Sequence, residues 1–123
     1  MLVAISIPIF TSQLEKSREA TDVANMRAAK AAAVSAYLSE SEPVWKKAAD
    51  GTISFTGTVY YDATNGVLKD AKTGITGYGK GTNTNAGNTE LGYAPGTATT
   101  GQIIQVVITQ ASGEVALSWV ATA

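Results

Sequence analysis

The residues that could do chemistry in this chain are few, and their spacing is loose. Gly74-Ile-Thr-Gly-Tyr-Gly79-Lys80 has the spacing that opens a phosphate-binding loop, in which glycine N–H groups cradle a phosphate and the lysine reaches its outer oxygens. The hydroxyl residue that such a loop carries next is replaced by Gly81, and neither a clear strand before it nor a helix after it frames the segment. It reads as a glycine loop. Paired carboxylates are the second possibility, but Glu40 and Glu42 flank the end of a helix and Asp62 and Asp70 sit near turns, where acidic residues serve the backbone. Nothing there separates an acid from a base. No Asp-x-Asp-x-Asp-Gly run offers calcium a dense set of oxygens. Trp45, Tyr60, Tyr78 and Tyr93 can form either a stacking surface for a ligand or the cap of a small core. There is no Asn-x-Ser/Thr sequon, and Thr97, Thr99 and Thr100 leave O-linked sugar open.

The wider composition narrows the chemistry further. The 123 residues hold no cysteine and no histidine, which removes disulfides, thiolate nucleophiles, cysteine zinc sites and the commonest general base. Nine basic against ten acidic residues leave a net charge of -1, without the basic field that holds a nucleic-acid backbone. No catalytic residue, metal ligand or cofactor is expected, and no nucleic-acid partner. With 45% hydrophobic residues the chain is globular and the size of one domain.

The elements that must position these residues divide sharply. Residues 1–38 contain one proline and no glycine, while all twelve glycines follow Glu42. The run from Met26 to Leu38 is rich in alanine, so residues 1–38 read as one long helix, stopped by Ser39-Glu-Ser-Glu-Pro43. At 1.5 Å per residue that helix is ~55 Å long, against about 30 Å for a domain built from residues 39–123, so part of it must project. The first ten residues are uncharged and apolar on every face. Thr11 to Asp22 is polar, and Arg18 and Asp22 are spaced to pair, an exposed contact worth only ~0.3 kcal/mol.

Beyond that stretch an apolar stripe returns. Val23, Met26, Ala33, Val34, Tyr37 and Leu38 share one side of the helix, and the expected sheet-packing residues are Val23, Met26, Val34, Tyr37 and Leu38. Lys30 falls inside this stripe, with its stem expected buried and its amine at the rim. Ala24, Ala28 and Ala32 lie on the opposite side, either through helix propensity or to let another helix approach closely.

The second part reads as antiparallel sheet. Thr52 to Tyr61 alternates, placing Ile53, Phe55, Val59 and Tyr61 on one face with a bulge at Gly57. Gln102 to Gln110 is a buried strand that turns through Ala111-Ser-Gly113 into Glu114 to Val120, with Val115, Leu117 and Trp119 alternating. Asn65-Gly66 marks a tight turn, and residues 74–101 form a long Gly/Thr/Asn loop, either ordered or a surface flap. The class is α+β, a long N-terminal helix packed on a small antiparallel sheet.

The apolar N-terminus is the informative feature. A spanning helix needs ~20 apolar residues. Ten are too few, and without a basic leader or a small-residue cleavage site the segment is no ordinary signal peptide; it reads as the tail of a longer hydrophobic stretch. Ala4-Ile-Ser-Ile-Pro8-Ile-Phe10, followed by a charged amphipathic stretch and an alanine-rich run ending in Tyr37-Leu38, resembles the second half of a type IV pilin N-terminal helix. The likeness covers the first third of the chain and the coarse architecture of the rest. It implies that the family's basic leader, Gly-Phe processing site and helix glutamate lie upstream of Met1. The chain lacks the C-terminal cysteine pair of many Gram-negative pilins and is similar in this to cysteine-free pilins of Gram-positive bacteria.

The resemblance implies a structural subunit without enzymatic activity. Leu2, Val3, Ile5, Ile7, Pro8, Ile9, Phe10 and Leu14 would hold it in the cytoplasmic membrane and then pack against other copies in a helical filament built by pilus assembly machinery. Burying Leu2, Val3, Ile5, Ile7, Ile9 and Phe10 would contribute about 9 to 18 kcal/mol as an upper bound before association costs. Pro8 removes a helical hydrogen bond at ~3 kcal/mol, which that packing must offset. The implied place is a cell-surface pilus serving adhesion or motility. A pseudopilin of a secretion or DNA-uptake system and a membrane-tethered binding module are the alternatives.

Overall fold

A computed structural model describes residues 2–82, 91–93, 96 and 98–122, with the helical side chains described from residue 16 onward together with that of Leu14. One helix, α1 (Leu2–Leu38), precedes six strands: β1 (Trp45–Lys47), β2 (Ile53–Phe55), β3 (Thr58–Asp62), β4 (Val67–Lys69), β5 (Ile103–Ile108) and β6 (Val115–Val120). β1 and β2 form a two-stranded sheet, and the other four form an antiparallel sheet in the order β4-β3-β5-β6. The α+β class with a helix on antiparallel sheet therefore holds.

Helix α1 ends where its backbone changes hand. Glu40 adopts φ 54°, and the Ser41 N–H donates to the Ala36 carbonyl at 2.9 Å, a left-handed C-terminal cap made without glycine. Just past it, the Trp45 indole N–H donates to the Tyr37 carbonyl at 3.0 Å. That bond satisfies a helix-end acceptor and seats Trp45 against Tyr37 and Phe55, at ring-centroid distances of 5.9 and 4.9 Å.

The buried side of α1 matches the expected one only in part. Asp22, Met26, Ala29, Ala33 and Ala36 are buried, recurring at the three- and four-residue steps of a single helical face. Met26 is enclosed as expected, and Val23 and Tyr37 are half-buried against the core. Val34 and Leu38, expected on this face, are 37% and 73% exposed, and Lys30 is exposed along with them. At 100° per residue Val34 and Leu38 lie about 120–160° around the helix from Asp22. Ala28 and Ala32, expected to face away, pack on the core, while Ala24 is exposed. Alanine lets the helix axis approach the sheet closely, and larger side chains at these positions would push it away.

The core lies between this face and the inner side of the four-stranded sheet, with Val59, Ile104, Val106 and Leu117 among its buried members. The Met26 sulfur accepts the Trp119 indole N–H at 3.3 Å across this interface. The β5–β6 hairpin forms as read, with Ile103 opposite Val120 and Ile108 opposite Val115. The alternating run from Thr52 to Tyr61, read as one strand, is two. It breaks at Gly57, whose carbonyl accepts the Ile108 N–H at 2.7 Å, and Ile53 points into solvent at 54% exposure while Val59 and Tyr61 are buried. Strands β1 and β4 are too short to carry a periodic signal in the sequence.

Candidate functional site

Helix α1 and its seat on the head are the parts of this structure on which a function can be built. For Leu2, Val3, Ile5, Ile7, Pro8, Ile9 and Phe10 the backbone is helical, and their side chains lie outside the described residues. Leu14 is 39% exposed. Among the described residues no helix is long and apolar enough to cross a membrane.

The seat centres on Asp22, which the sequence placed in an exposed polar stretch next to Arg18. Its carboxylate is instead fully buried. Oδ1 accepts the Lys80 backbone N–H at 2.9 Å; Oδ2 accepts the Gly81 N–H at 2.9 Å, the Tyr93 hydroxyl at 2.7 Å and the Thr99 hydroxyl at 2.5 Å. The carboxylate is thereby taken up by backbone and hydroxyl donors from residues 80, 81, 93 and 99. Hydrogen bonds to a charged acceptor contribute about 1.5–3 kcal/mol each, so four of them can offset much of the desolvation of a buried carboxylate.

The glycine loop is the complement of that carboxylate. Gly79 and Gly77 lie so close to a neighbouring segment that an added Cβ would meet the Thr99 carbonyl oxygen at 1.9 Å and the Gly101 carbonyl oxygen at 2.0 Å. Only glycine permits this approach, which lines up the Lys80 and Gly81 N–H groups on the helix. The backbone donors that a phosphate-binding loop would turn towards a ligand are thus occupied by the chain's own aspartate. A signal for this was present in the sequence, since Asp22 lies one turn before Met26 and in line with Ala29 and Ala33.

Tyr78 performs a related task in the sheet. Its hydroxyl donates to the Tyr61 carbonyl at 2.6 Å and accepts the Ile104 N–H at 2.9 Å, joining β3 and β5 at their end. Burial pushes this phenol well above its ordinary pKa, with the nearby Tyr61 and Asp62 adding to the rise and the Ile104 N–H opposing it. Tyr93 is buried with Asp22, and Trp45 packs with Tyr37 and Phe55. Tyr60 is half-buried beneath the Lys72 amine, 5.9 Å from the ring centroid. Tyr78 and Tyr93 both pack on Trp119, at ring-centroid distances of 5.7 and 6.3 Å, and both are buried in the core, while Trp45 and Tyr60 make other contacts, so the four do not assemble into one stacking surface.

The carboxylates at turns serve the backbone and nearby lysines. Asp62 accepts the Thr64 and Asn65 N–H groups and pairs with Lys69 at 3.1 Å, and Asp70 pairs with Lys46. The Lys46 ammonium holds the Asp70 carboxyl below its usual range by hydrogen bonding and charge. A surface groove of about 550 Å³ runs past Glu42, Lys46, Lys69 and Asp70. Both of its lysines are engaged in these ion pairs. Among the described residues no three carboxylates gather where they could hold a metal ion, and no buried side-chain nitrogen or oxygen lacks a partner.

In comparisons with known proteins the chain matches no family model, no curated protein and no solved structure.

Proposed function

We propose that this chain is a type IV pilin, a structural subunit that polymerises through its apolar N-terminal helix into surface filaments used for adhesion or motility. The observation that carries the reading is the single unbroken helix from Leu2 to Leu38, whose second half is seated on an antiparallel sheet and whose first ten residues bear no charge. A helix of ~55 Å is longer than a head of this size needs. In the proposed filament the segment Leu2 to Phe10 and Leu14 meet other copies, after anchoring the subunit in the cytoplasmic membrane. Val34 and Leu38, turned away from the sheet, add apolar contact for neighbouring subunits. A heterologous contact of this kind does not close on itself and so extends into a fibre.

The Asp22 seat gives such a subunit a rigid joint. A filament transmits load from a helical core to the rest of each subunit, and a buried carboxylate hydrogen-bonded at three places in the loop resists rotation of the helix on its sheet.

Immunogold electron microscopy of native cells with antibody against residues 43–123 tests the proposal. Continuous label along surface filaments is the expected result. Label confined to the envelope would reject it in favour of a pseudopilin or a membrane-tethered module.

A further inference from the structure

The turn between β3 and β4 holds a reactive pair of residues that the filament reading does not use. Asn65 and Gly66 are adjacent and exposed, and Gly66 takes φ 67°, the left-handed conformation for which this turn uses glycine. Glycine also leaves its backbone nitrogen the least hindered of any residue for attack on the preceding side-chain amide. The nucleophile and the leaving group of that attack, and the Asn65 backbone beside them, are tied to Asp62. The Gly66 N–H donates to the Asp62 carbonyl at 2.8 Å, the Asn65 Nδ2 donates to Asp62 Oδ2 at 2.8 Å, and the Asn65 N–H donates to Asp62 Oδ1 at 3.3 Å. Asp62 is itself only 1% exposed and is held in place by Lys69 at 3.1 Å.

We propose that Asn65 is a deamidation site restrained by Asp62, and that its conversion unfastens the β3–β4 hairpin. In the first step the Gly66 nitrogen forms a bond to Asn65 Cγ and gives its proton to water, while the Cγ–Nδ2 bond breaks and the nitrogen leaves as ammonia, taking its proton from solvent. The resulting cyclic imide adds one water and opens at either carbonyl, yielding aspartate or its isomer with the main chain routed through the side chain. Water is the only co-reactant, and nothing is oxidised or reduced.

The product disrupts the clasp that restrained the reaction. A carboxylate replaces the amide that donated to Asp62, setting two like charges together. The Asn65 side-chain hydrogen bond is the largest influence keeping the Asp62 carboxyl below its usual range, and conversion removes it. The isomer also lengthens the backbone between Asp62 and Val67, which are register partners in the hairpin. Among the described residues strand β4 lies at the sheet edge and pairs only with β3, so losing that register releases it. This inference is independent of the filament reading.

Peptide mass spectrometry of the full chain, incubated at mildly alkaline pH in buffer and in urea, measures the conversion at Asn65. The expected result is conversion at least about tenfold slower in the folded protein than in urea, because the clasp must open first. Asp62→Ala should remove most of that difference, with the β5–β6 amide signals in NMR reporting an intact sheet. Should that variant not fold, Lys69→Ala, which frees Asp62 from its ion pair, should narrow the difference instead, and an unchanged difference in either variant once folded would overturn the restraint by Asp62. Equal rates in buffer and urea, or no conversion in urea, would overturn the proposal. Asn65→Asp should strip amide-exchange protection from β4, and full protection in that variant would refute the proposed structural effect.

Discussion

Asp22 shows how much one side chain can organise when its charge is enclosed. Its two oxygens receive backbone donors from Lys80 and Gly81 and hydroxyl donors from Tyr93 and Thr99, tying helix α1 to three separate places in the long loop. Replacing it with asparagine keeps the shape but removes the charge, and it places an amide N–H2 against a donor. Asp22→Asn should destabilise the protein by about 2–4 kcal/mol, read as a lower urea midpoint. An unchanged midpoint would mean that the loop is held by its glycine packing alone. Glu40 works on the opposite principle, since the cap it forms at φ 54° is one that glycine would adopt with less strain.

At the scale of elements, the helix rotates its alanines inward and leaves larger apolar groups outside. Ala33 is fully buried against the core, and a leucine there would have to displace the sheet or distort its own rotamer. Ala33→Leu should cost about 1–3 kcal/mol, whereas Leu38→Ala should change the stability of the protein by no more than about 0.5 kcal/mol. Thermal or urea unfolding of the two variants checks both numbers. A neutral Ala33→Leu would show that the helix sits further from the sheet than these contacts imply. The two-stranded sheet is attached through Tyr37, Trp45 and Phe55, so that the aromatic cluster joins the end of α1 to β1 and β2.

For the whole molecule, the buried face of α1 among the described residues runs from Glu19 to Ala36. Removing residues 1–13 leaves the residues of the Asp22 seat in the chain, and the shortened protein should unfold near the full-length midpoint; on the proposed filament reading it should also stay monomeric in sedimentation. Removing residues 1–22 also deletes the seat and should lower the midpoint by an amount comparable to Asp22→Asn. Equal midpoints for the two truncations would reject Asp22 as an anchor. Filaments formed by the shorter truncation would place assembly outside the first thirteen residues.

What was legible in the sequence was local in origin. Alanine propensity and the absence of glycine marked the long helix, Asn65-Gly66 marked a turn, and the apolar alternation after Gly101 marked the β5–β6 hairpin, because each depends on residues near one another in the chain. The buried face of the helix was legible only in part: the apolar stripe found Val23, Met26, Ala33 and Tyr37, but it also pointed to Val34 and Leu38, with Lys30 among them as the discordant sign. Only the tertiary structure decided that face, because close packing against the sheet favours small side chains over large ones and because Asp22 gains donors from residues as far away as Thr99. The glycine loop followed the same logic. Its spacing suggested an anion site, and the fold filled it with a carboxylate from the chain's own helix, a partner 58 residues away that no local pattern specifies.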